Sequence, residues 1–567
     1  MNGRPSLSAT VSRIAIWLPL IVFLLVPLAT VLLTSLTGEP INLPAALIGH
    51  AGPLVHQLQS AGLGTYRQLA LSSYHRAALV NSVVLATSVG LTGTLIGTLT
   101  AFAVERWHLP GSRLFGRIMM FLLIAPPFIG AYAFTLLGGQ HGLLTRLAAA
   151  VGLHVQPDFH TAVGIFIVET YHAIALPYLI VSPMLCRTDP QLLDAARTLG
   201  ATGLFRLFRI DVPLVAPGIA SGALVAAIGS FADLGTPLVL AARNVPLLPV
   251  EAYQELVGYV DWGLAAALSC VMIACALAIL VLYVRWTDRQ HVETVVGSVR
   301  LAESGDATGH AGLRRGSADW LGAAALLLVI SVPIAAYGEL AVMAIAGRWG
   351  ATVLPEAWTL AHLKLAFWDF PQPYLRTAVL CGTAMMLCLL YGSWIVGSAR
   401  RSRALDVVTT LPLIVPGTAI AIALISAYNA PPLALHQTAF IVVIALSVRR
   451  LPYAVRALSA ARAQLDPLLG QAAATLGAPP LFTAVKVFMP LLAPAIRSAG
   501  LLVFVTGVTE VSSTILLAPA DWTPAAVHVY NLVHELALYD AAAYAIGLMA
   551  MVAILERLMH RQAFAIG

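Results

Sequence analysis

Long runs of apolar residues recur along the whole chain, and each is about as long as a membrane span. A helix needs about 20 apolar residues to cross the roughly 30 Å of hydrocarbon, and it satisfies its own backbone polar groups there. About twelve such runs begin near Ile14, Ala78, Ile118, Thr161, Val215, Gly263, Leu321, Thr377, Val407, Leu433, Ala495 and Ala541. The pattern predicts an all-α polytopic membrane protein with about 12 transmembrane helices.

The composition agrees with this fold class. Of the 567 residues, 59% are hydrophobic and 10% are charged, whereas a soluble domain has about a quarter charged residues. The outer surface is therefore expected to face lipid. We expect no cofactor and no metal site.

The first apolar run, residues 14–36, follows a short basic stretch that contains Arg4 and Arg13. It is longer than the apolar part of a signal peptide and lacks a clear cleavage site, so we interpret it as a retained span. With the amino terminus inside and an even number of spans, both termini are expected in the cytoplasm.

Basic residues support this orientation, because short cytoplasmic loops collect Lys and Arg. The predicted inner loops contain Arg106, Arg113, Arg117, Arg187, Arg197, Arg206, Arg209, Arg285, Arg289, Arg300, Arg314, Arg315, Arg400, Arg401 and Arg403. Topology thus explains the formal net charge of +6, and no nucleic-acid partner is expected.

The chain divides into two related halves. Residues 285–319 are rich in Gly, Ser and charged residues, which is typical of a flexible cytoplasmic linker. The predicted units are a first span with an outer segment (1–76), a first transmembrane domain (77–284), the linker (285–319), a seventh span with an outer segment (320–371) and a second transmembrane domain (372–567).

An internal repeat supports the division. The 36 residues that begin at Asp189 recur without a gap from Asp466, 277 residues later, and 18 of the 36 are identical. The shared residues include Pro and Gly, which hydrophobicity alone would not align. Each half is therefore one copy of an ancestral membrane unit with an extra span at its amino end.

The repeated segment has the local chemistry of a helix-turn-helix. Asp189 and Asp466 can cap a helix that begins with Pro, and Gly200 and Gly477 can adopt the left-handed conformation that ends it. A second short helix is predicted at 204–211 and at 481–488, ended by Pro213 and Pro490. One such loop would be an ordinary connection, but two matched copies indicate a socket for a two-fold symmetric partner.

Both segments resemble the cytoplasmic signature loop of binding-protein-dependent ABC importers, an acidic-Ala-Ala triplet followed by Gly and then Pro. The resemblance covers residues 77–283 and 372–558. The matching residues are Asp194, Ala195, Ala196, Gly200 and Pro213 in the first half, and Gln471, Ala472, Ala473, Gly477 and Pro490 in the second. The family's Glu is Asp in the first copy and Gln in the second, so the second loop lacks that carboxylate.

The resemblance implies two partners, a periplasmic solute-binding protein and cytoplasmic ATPase subunits, expected as a homodimer that engages both loops. The chain itself lacks a phosphate-binding loop, since neither of its lysines follows Gly. ATP hydrolysis is therefore assigned to a separate polypeptide.

Two other classes of function, a membrane protease and a secondary carrier, compete with the ATP-driven importer. A zinc protease motif begins at His534-Glu535, but Leu538 stands where the second His is needed. A proton-coupled secondary carrier would also be helical and internally repeated. The doubled loop favours the ATP-driven importer, and co-purification of an ATPase would discriminate between the two.

Ionisable residues within apolar runs are candidates for the translocation path, because they are costly in a membrane. Asp233 and Glu510 are equivalent by the repeat, which suggests two carboxylates that face a shared axis. The alternative is that they are structural groups bonded to neighbouring Ser and Thr. Further candidates are Glu169, Arg449 and Arg450.

These residues reduce the number of candidate substrates but do not select a single one. Carboxylates favour a cation, and hard oxygen ligands suit a hard ion. The segments around Asp233 and Glu510 most resemble those of ferric-iron permeases, which implies ferric iron. Thiamine, polyamines and 2-aminoethylphosphonate remain alternatives, and a path lined by Arg449 and Arg450 would favour an anion.

Overall fold

The structure is a computed structural model, and most of the chain is described. The described residues are 7–49, 52–59, 61–107, 110–140, 142–150, 152, 156–186, 188–201, 203–240, 245–288, 317–349, 352, 354–398, 402–466 and 468–564. Most of the predicted linker, residues 289–316, lies outside them.

The first half consists of helices. They are α1 (Leu7–Leu20), α2 (Val26–Thr37), α3 (Leu43–Leu47), α4 (Gly52–Gln59), α5 (Gly64–Leu71), α6 (Ser73–Glu105), α7 (Ser112–Ile124), α8 (Pro127–Gly138), α9 (Leu143–Ala150), α10 (Ala162–Ala173), α11 (Ala175–Cys186), α12 (Pro190–Thr198), α13 (Gly203–Arg206), α14 (Val212–Ala232), α15 (Gly235–Leu240), α16 (Leu248–Val257) and α17 (Trp262–Asp288). The π-helical segments Ile21–Leu25 and Leu207–Asp211 join α1 to α2 and α13 to α14.

The second half repeats this design. Its helices are α18 (Ser317–Met343), α19 (Ala361–Lys364), α20 (Gln372–Gly397), α21 (Arg403–Thr410), α22 (Gly417–Tyr428), α23 (Ala439–Ala463), α24 (Leu468–Thr475), α25 (Pro480–Thr483), α26 (Met489–Val508), α27 (Thr514–Leu517), α28 (Ala525–His534) and α29 (Leu538–Phe564). Two short antiparallel strands, β1 (Ala346–Arg348) and β2 (Ala357–Trp358), follow α18.

The all-α polytopic class is confirmed. Among the described residues, nine helical stretches are long and apolar enough to span a membrane, and up to eleven if each of two bent pairs is one span. The bent pairs are α7 with α8–α9, at 109°, and α21 with α22, at 107°. The remaining predicted run forms α23, which contains four arginines and is not among those stretches.

The helices of the two halves correspond closely. The path from α10 to α11 begins at Ala162 and ends at Cys186, and α23 begins and ends 277 residues later. The same offset relates α16 to α28. Ser82 of α6 accepts the backbone N–H of Leu248 at 2.8 Å, and Thr377 of α20 accepts that of Ala525 at 2.8 Å. The repeat therefore extends well beyond the 36 residues that first revealed it.

The extra helix of each half packs on the other half. The α2 helix contacts α22, and α18 contacts α7 and α8. Tyr428 of α22 donates to the backbone carbonyl of Val22, and a methyl group on Gly130 of α8 would come within 2.9 Å of the Tyr337 hydroxyl of α18. These contacts fasten the halves together and bring the bent pairs to the centre, where one buried cluster contains residues of both halves.

Candidate functional site

Two helix breaks, one in each half, form the centre of the candidate site. The α14 helix ends before Asp233, and α26 ends two residues before Glu510. A methyl group on Gly235 would lie 3.7 Å from the Val511 Cβ atom, so the breaks adjoin. Both breaks are followed by a short helix whose first amides need acceptors.

The two carboxylates cap those short helices. Asp233 accepts the backbone N–H of Gly235 at 2.9 Å and that of Thr236 at 3.4 Å. Glu510 accepts the backbone N–H of Ser513 at 3.1 Å and the Ser513 hydroxyl at 3.3 Å. Each acid therefore has a local structural role in addition to any role in transport.

Glu510 is also clamped by two arginines of α23. Arg449 donates to one carboxylate oxygen of Glu510, and Arg450 donates to the other at 2.5 Å. Arg450 also donates to the backbone carbonyl of Thr506 at 2.7 Å. The Glu510 side chain is only 6% exposed, so this is a buried cluster of two guanidinium groups around one carboxylate. We call Arg449, Arg450 and Glu510 the ionic latch.

The ionic latch lies against the bend between α21 and α22. A methyl group on Gly417, the first residue of α22, would overlap the Arg449 guanidinium and come within 3.0 Å of the Ser512 Cβ atom. Only glycine at this position leaves room for the Arg449 guanidinium group. The bend, α23 and the break after α26 thus meet at one point.

The first half supplies a different set of partners. Glu169 of α10 accepts the hydroxyl of Ser230, which lies in the last turn of α14. Asp233 is close enough to interact electrostatically with both Glu169 and Glu510. The structure therefore brings the five candidate path residues together around the two helix breaks, where Glu169, Arg450 and Glu510 are buried and Asp233 and Arg449 are half-buried.

The two acids that the repeat makes equivalent have different partners. Two guanidinium groups bind Glu510, whereas Asp233 accepts two backbone amides. In the described part of the chain, no three His, Cys, Asp or Glu side chains converge in a way that could hold a metal ion. The sequence repeat indicated neither the latch nor Gly417, because the residues 277 positions before Arg449 and Arg450 are His172 and Ala173.

The repeated loops have the predicted caps and turns. The carboxylates of Asp189 and Asp466 accept the backbone N–H groups of Gln191 and Leu468, each at 2.8 Å. Gly200 has φ +84° and Gly477 has φ +75°, which is the left-handed region. The Asp-Ala-Ala triplet of the first loop and the Gln-Ala-Ala triplet of the second have the same pattern of solvent exposure. Asp194, Ala195, Gln471 and Ala472 are exposed, whereas Ala196 and Ala473 are buried.

The prediction that Pro213 and Pro490 end the second short helix is wrong. Helix α13 continues through the π-helical segment Leu207–Asp211 into α14, and α25 continues through Ala484–Phe488 into α26. Proline lacks an N–H and its ring clashes with the preceding turn. The wider π turn directly before each proline accommodates it without ending the helix.

Comparisons with known proteins place this architecture. Residues 93–290 match the family described as "Binding-protein-dependent transport system inner membrane component". The ferric transport system permease protein FbpB of Actinobacillus pleuropneumoniae is 28% identical, over 84% of this chain and 69% of that protein. The Fe(3+)-transport system permease protein FbpB 2 of Haemophilus influenzae is 24% identical, over 95% and 99%. A putative 2-aminoethylphosphonate transport system permease protein PhnU of Salmonella typhimurium is 27% identical, over 46% and 91%.

The protein is an inner-membrane permease of a binding-protein-dependent ABC importer. Within that class it is a fused permease with two halves in one chain, similar to the ferric transport permeases along most of its length. It is not an enzyme, and ATP hydrolysis belongs to a separate subunit.

Proposed function

We propose that this permease moves ferric iron from a periplasmic binding protein to the cytoplasm, with both termini on the cytoplasmic side. The observation that carries the importer mechanism is the doubled helix-turn-helix with left-handed glycines at Gly200 and Gly477. The arginine-rich loops support the orientation. The units of the chain remain those proposed from the sequence, with transmembrane domains at 77–284 and 372–567 joined by a linker at 285–319.

Each repeated loop docks on one ATPase subunit, and the two subunits form a homodimer. The exposed apolar side chains Leu199 and Leu476, 88% and 86% exposed, directly precede the glycines. An exposed apolar residue on a fixed turn is suited to insertion into a partner's cleft. Closure of the ATPase subunits then moves both loops and the helices that continue from them.

The ionic latch, which lies within the second half, closes the path next to the break at Asp233 of the first half. Two arginines on α23 hold Glu510 at the break after α26, and Arg449 also lies against the bend at Gly417. A shift of α26 relative to α23 therefore has to break a buried charge pair. Because the buried pair is either formed or broken, α26 and α23 have two discrete arrangements and no gradual series between them. Two discrete arrangements are what a gate requires.

Ferric iron is supported by the relatives that align with both halves of the chain. Of the three candidate path carboxylates, Glu510 is bound by arginines, whereas Asp233 and Glu169 have no arginine partner among the described contacts. Asp233 and Glu169 can therefore interact with a passing cation. A path also has to bind its solute weakly enough to release it. The described acids do not converge into a chelating site.

A second candidate is 2-aminoethylphosphonate, because a relative that aligns with about half of the chain is a putative 2-aminoethylphosphonate transport system permease protein. The specific observation that favours it is the pair of buried guanidinium groups, since Arg recognises phosphonate-like oxygens. Exposure of Arg449 and Arg450 when the latch opens would present two cations to such an anion.

Uptake by proteoliposomes distinguishes these solutes. The permease is reconstituted with its ATPase and binding protein, and ATP-dependent uptake of radiolabelled ferric iron and of labelled 2-aminoethylphosphonate is measured in parallel. The proposal predicts iron uptake that unlabelled phosphonate does not compete away. Phosphonate uptake without iron uptake would contradict the iron assignment and leave the importer mechanism intact.

A further inference from the structure

Helix α6 holds the segment that enters the first repeated loop. Its last residue, Glu105, accepts the hydroxyl of Ser182 at 2.6 Å and the thiol of Cys186 at 2.8 Å. Both donors lie on α11, which leads directly into the loop. The end of α6 is thus fastened to the entrance of the loop.

The next residue, Arg106, holds the segment that leaves the loop. Its Nε atom lies 3.3 Å from one carboxylate oxygen of Asp211, and Arg206 donates to the other at 3.1 Å. The Asp211 side chain is only 5% exposed. Breaking such a shielded pair costs more than breaking a surface pair. Two adjacent residues of α6 therefore clamp both ends of one loop.

The opposite end of α6 is fastened by polar contacts to α16. The Tyr74 hydroxyl donates to Glu251 at 2.8 Å, and the His75 ring lies 3.4 Å from the Glu255 carboxylate. A helix of 33 residues is about 50 Å long. One helix that is long enough to span a membrane thus connects the first repeated loop to α16.

Close packing stiffens this connection. Methyl groups on Gly90, Gly93 and Gly97 would come within 3 Å of atoms on α14, α10 and the junction of α10 with α11. Small residues allow such close approach between membrane helices. A helix that is packed this tightly moves as a unit with its neighbours and does not bend freely.

In the described part of the second half, no carboxylate stands at the position of Asp211. The residue 277 positions after Asp211 is Phe488, and the one after Arg206 is Thr483. Arg462 of α23, the counterpart of α10 and α11, lies over the Phe488 ring at 5.2 Å. The second loop therefore has a cation–π contact at the position where the first loop has an ion pair.

The contacts between the start of α20 and α28 also differ from those between the start of α6 and α16. Counted from the matched pair Ser82 and Thr377, the equivalent of His75 is Phe370. Its ring lies 5.8 Å from that of His528 on α28, where the first half has a carboxylate. The carboxylate contacts between α6 and α16 thus have an aromatic counterpart between Phe370 and α28.

We propose that α6 transmits movement of the first repeated loop to α16, and that Glu105 and Arg106 are the positioning residues that fasten the loop to it. The first loop then contributes more to coupling than the second. This inference rests on the proposed docking of the loops on ATPase subunits.

The test is the number of solute molecules imported per ATP hydrolysed by the complete reconstituted importer. Asp211→Asn keeps the side-chain shape and removes the charge that Arg106 binds. It should lower this ratio about fivefold or more, the scale of a typical coupling free energy, while binding-protein-stimulated hydrolysis continues. Asp211→Glu should restore much of the ratio because it keeps the carboxylate.

The control is Arg462→Gln, which removes the contact of α23 with Phe488 in the second loop and should leave the ratio within about twofold of wild type. An unchanged ratio in Asp211→Asn, or an equal loss in Arg462→Gln, would overturn the inference. If Asp211→Asn fails to insert, Glu105→Gln provides the same test at the loop entrance. Absence of stimulated hydrolysis in the wild-type importer would instead contradict the proposed function.

Discussion

At the scale of single residues, the ionic latch makes Glu510 far less replaceable than its repeat equivalent Asp233. Glu510→Gln would leave Arg449 and Arg450 buried without a counter-charge, and breaking a buried pair in this way costs about 3–5 kcal/mol. Asp233→Asn keeps an oxygen that can accept the amides of α15 and should cost about 1 kcal/mol. Thermal unfolding of the purified variants in detergent measures the difference, and equal destabilisation would refute the latch.

Gly417 is the second residue whose replacement tests the latch. Gly417→Ala places a methyl group where the Arg449 guanidinium lies, so the arginine has to leave Glu510 or the bend has to open. Uptake should fall while the permease still inserts. The control is Gly229→Ala in α14, where a methyl group meets nothing within 4 Å. Similar uptake by both variants would mean that Arg449 is not confined by the bend.

The sequence predicted ionisable residues within the apolar runs, but not their partners. The repeat pairs Asp233 with Glu510, and a methyl group on Gly235, two residues after Asp233, would lie 3.7 Å from the Cβ atom of Val511, the residue after Glu510. The arginines of the latch have no repeat equivalents, and their partner is 60 residues away in the chain. Contacts of this kind depend on tertiary packing, which spacing along one chain does not encode.

At the scale of elements, the left-handed glycines of the repeated loops should resist substitution for backbone reasons alone. A methyl group on Gly200 or Gly477 meets nothing within 4 Å, so only the positive φ is at issue. Val strains this conformation, whereas Asn tolerates it. Gly200→Val should reduce uptake and Gly200→Asn should largely preserve it, with a smaller effect of Val at Gly477. Equal uptake by the Val and Asn variants would exclude a role for the turn.

The loop helices also show where local rules fail. Caps and glycine turns were predictable because they depend on neighbouring residues only. The continuation past Pro213 and Pro490 was not, because a proline usually ends or kinks a helix. The π-helical segments before both prolines, which no residue pattern predicts, resolve the conflict.

At the scale of the whole molecule, the two-fold repeat predicted the architecture but not the exchange of the extra helices. The repeat assigns α1 and α2 to the first half, yet α2 packs on α22 of the second. Similarly, α18 packs on α7 and α8 of the first half. Lipid-facing and protein-facing apolar residues have the same composition, so hydrophobicity cannot reveal which helix covers which neighbour.

This chain should transport a solute only when a separate ATPase acts on its two loops. The most direct measurement is ATP hydrolysis and solute uptake in proteoliposomes that contain the permease alone, then with ATPase subunits and loaded binding protein. The permease alone should do neither, and the complete set should do both. Hydrolysis by the chain alone, or uptake driven by a proton gradient without the ATPase, would contradict the account.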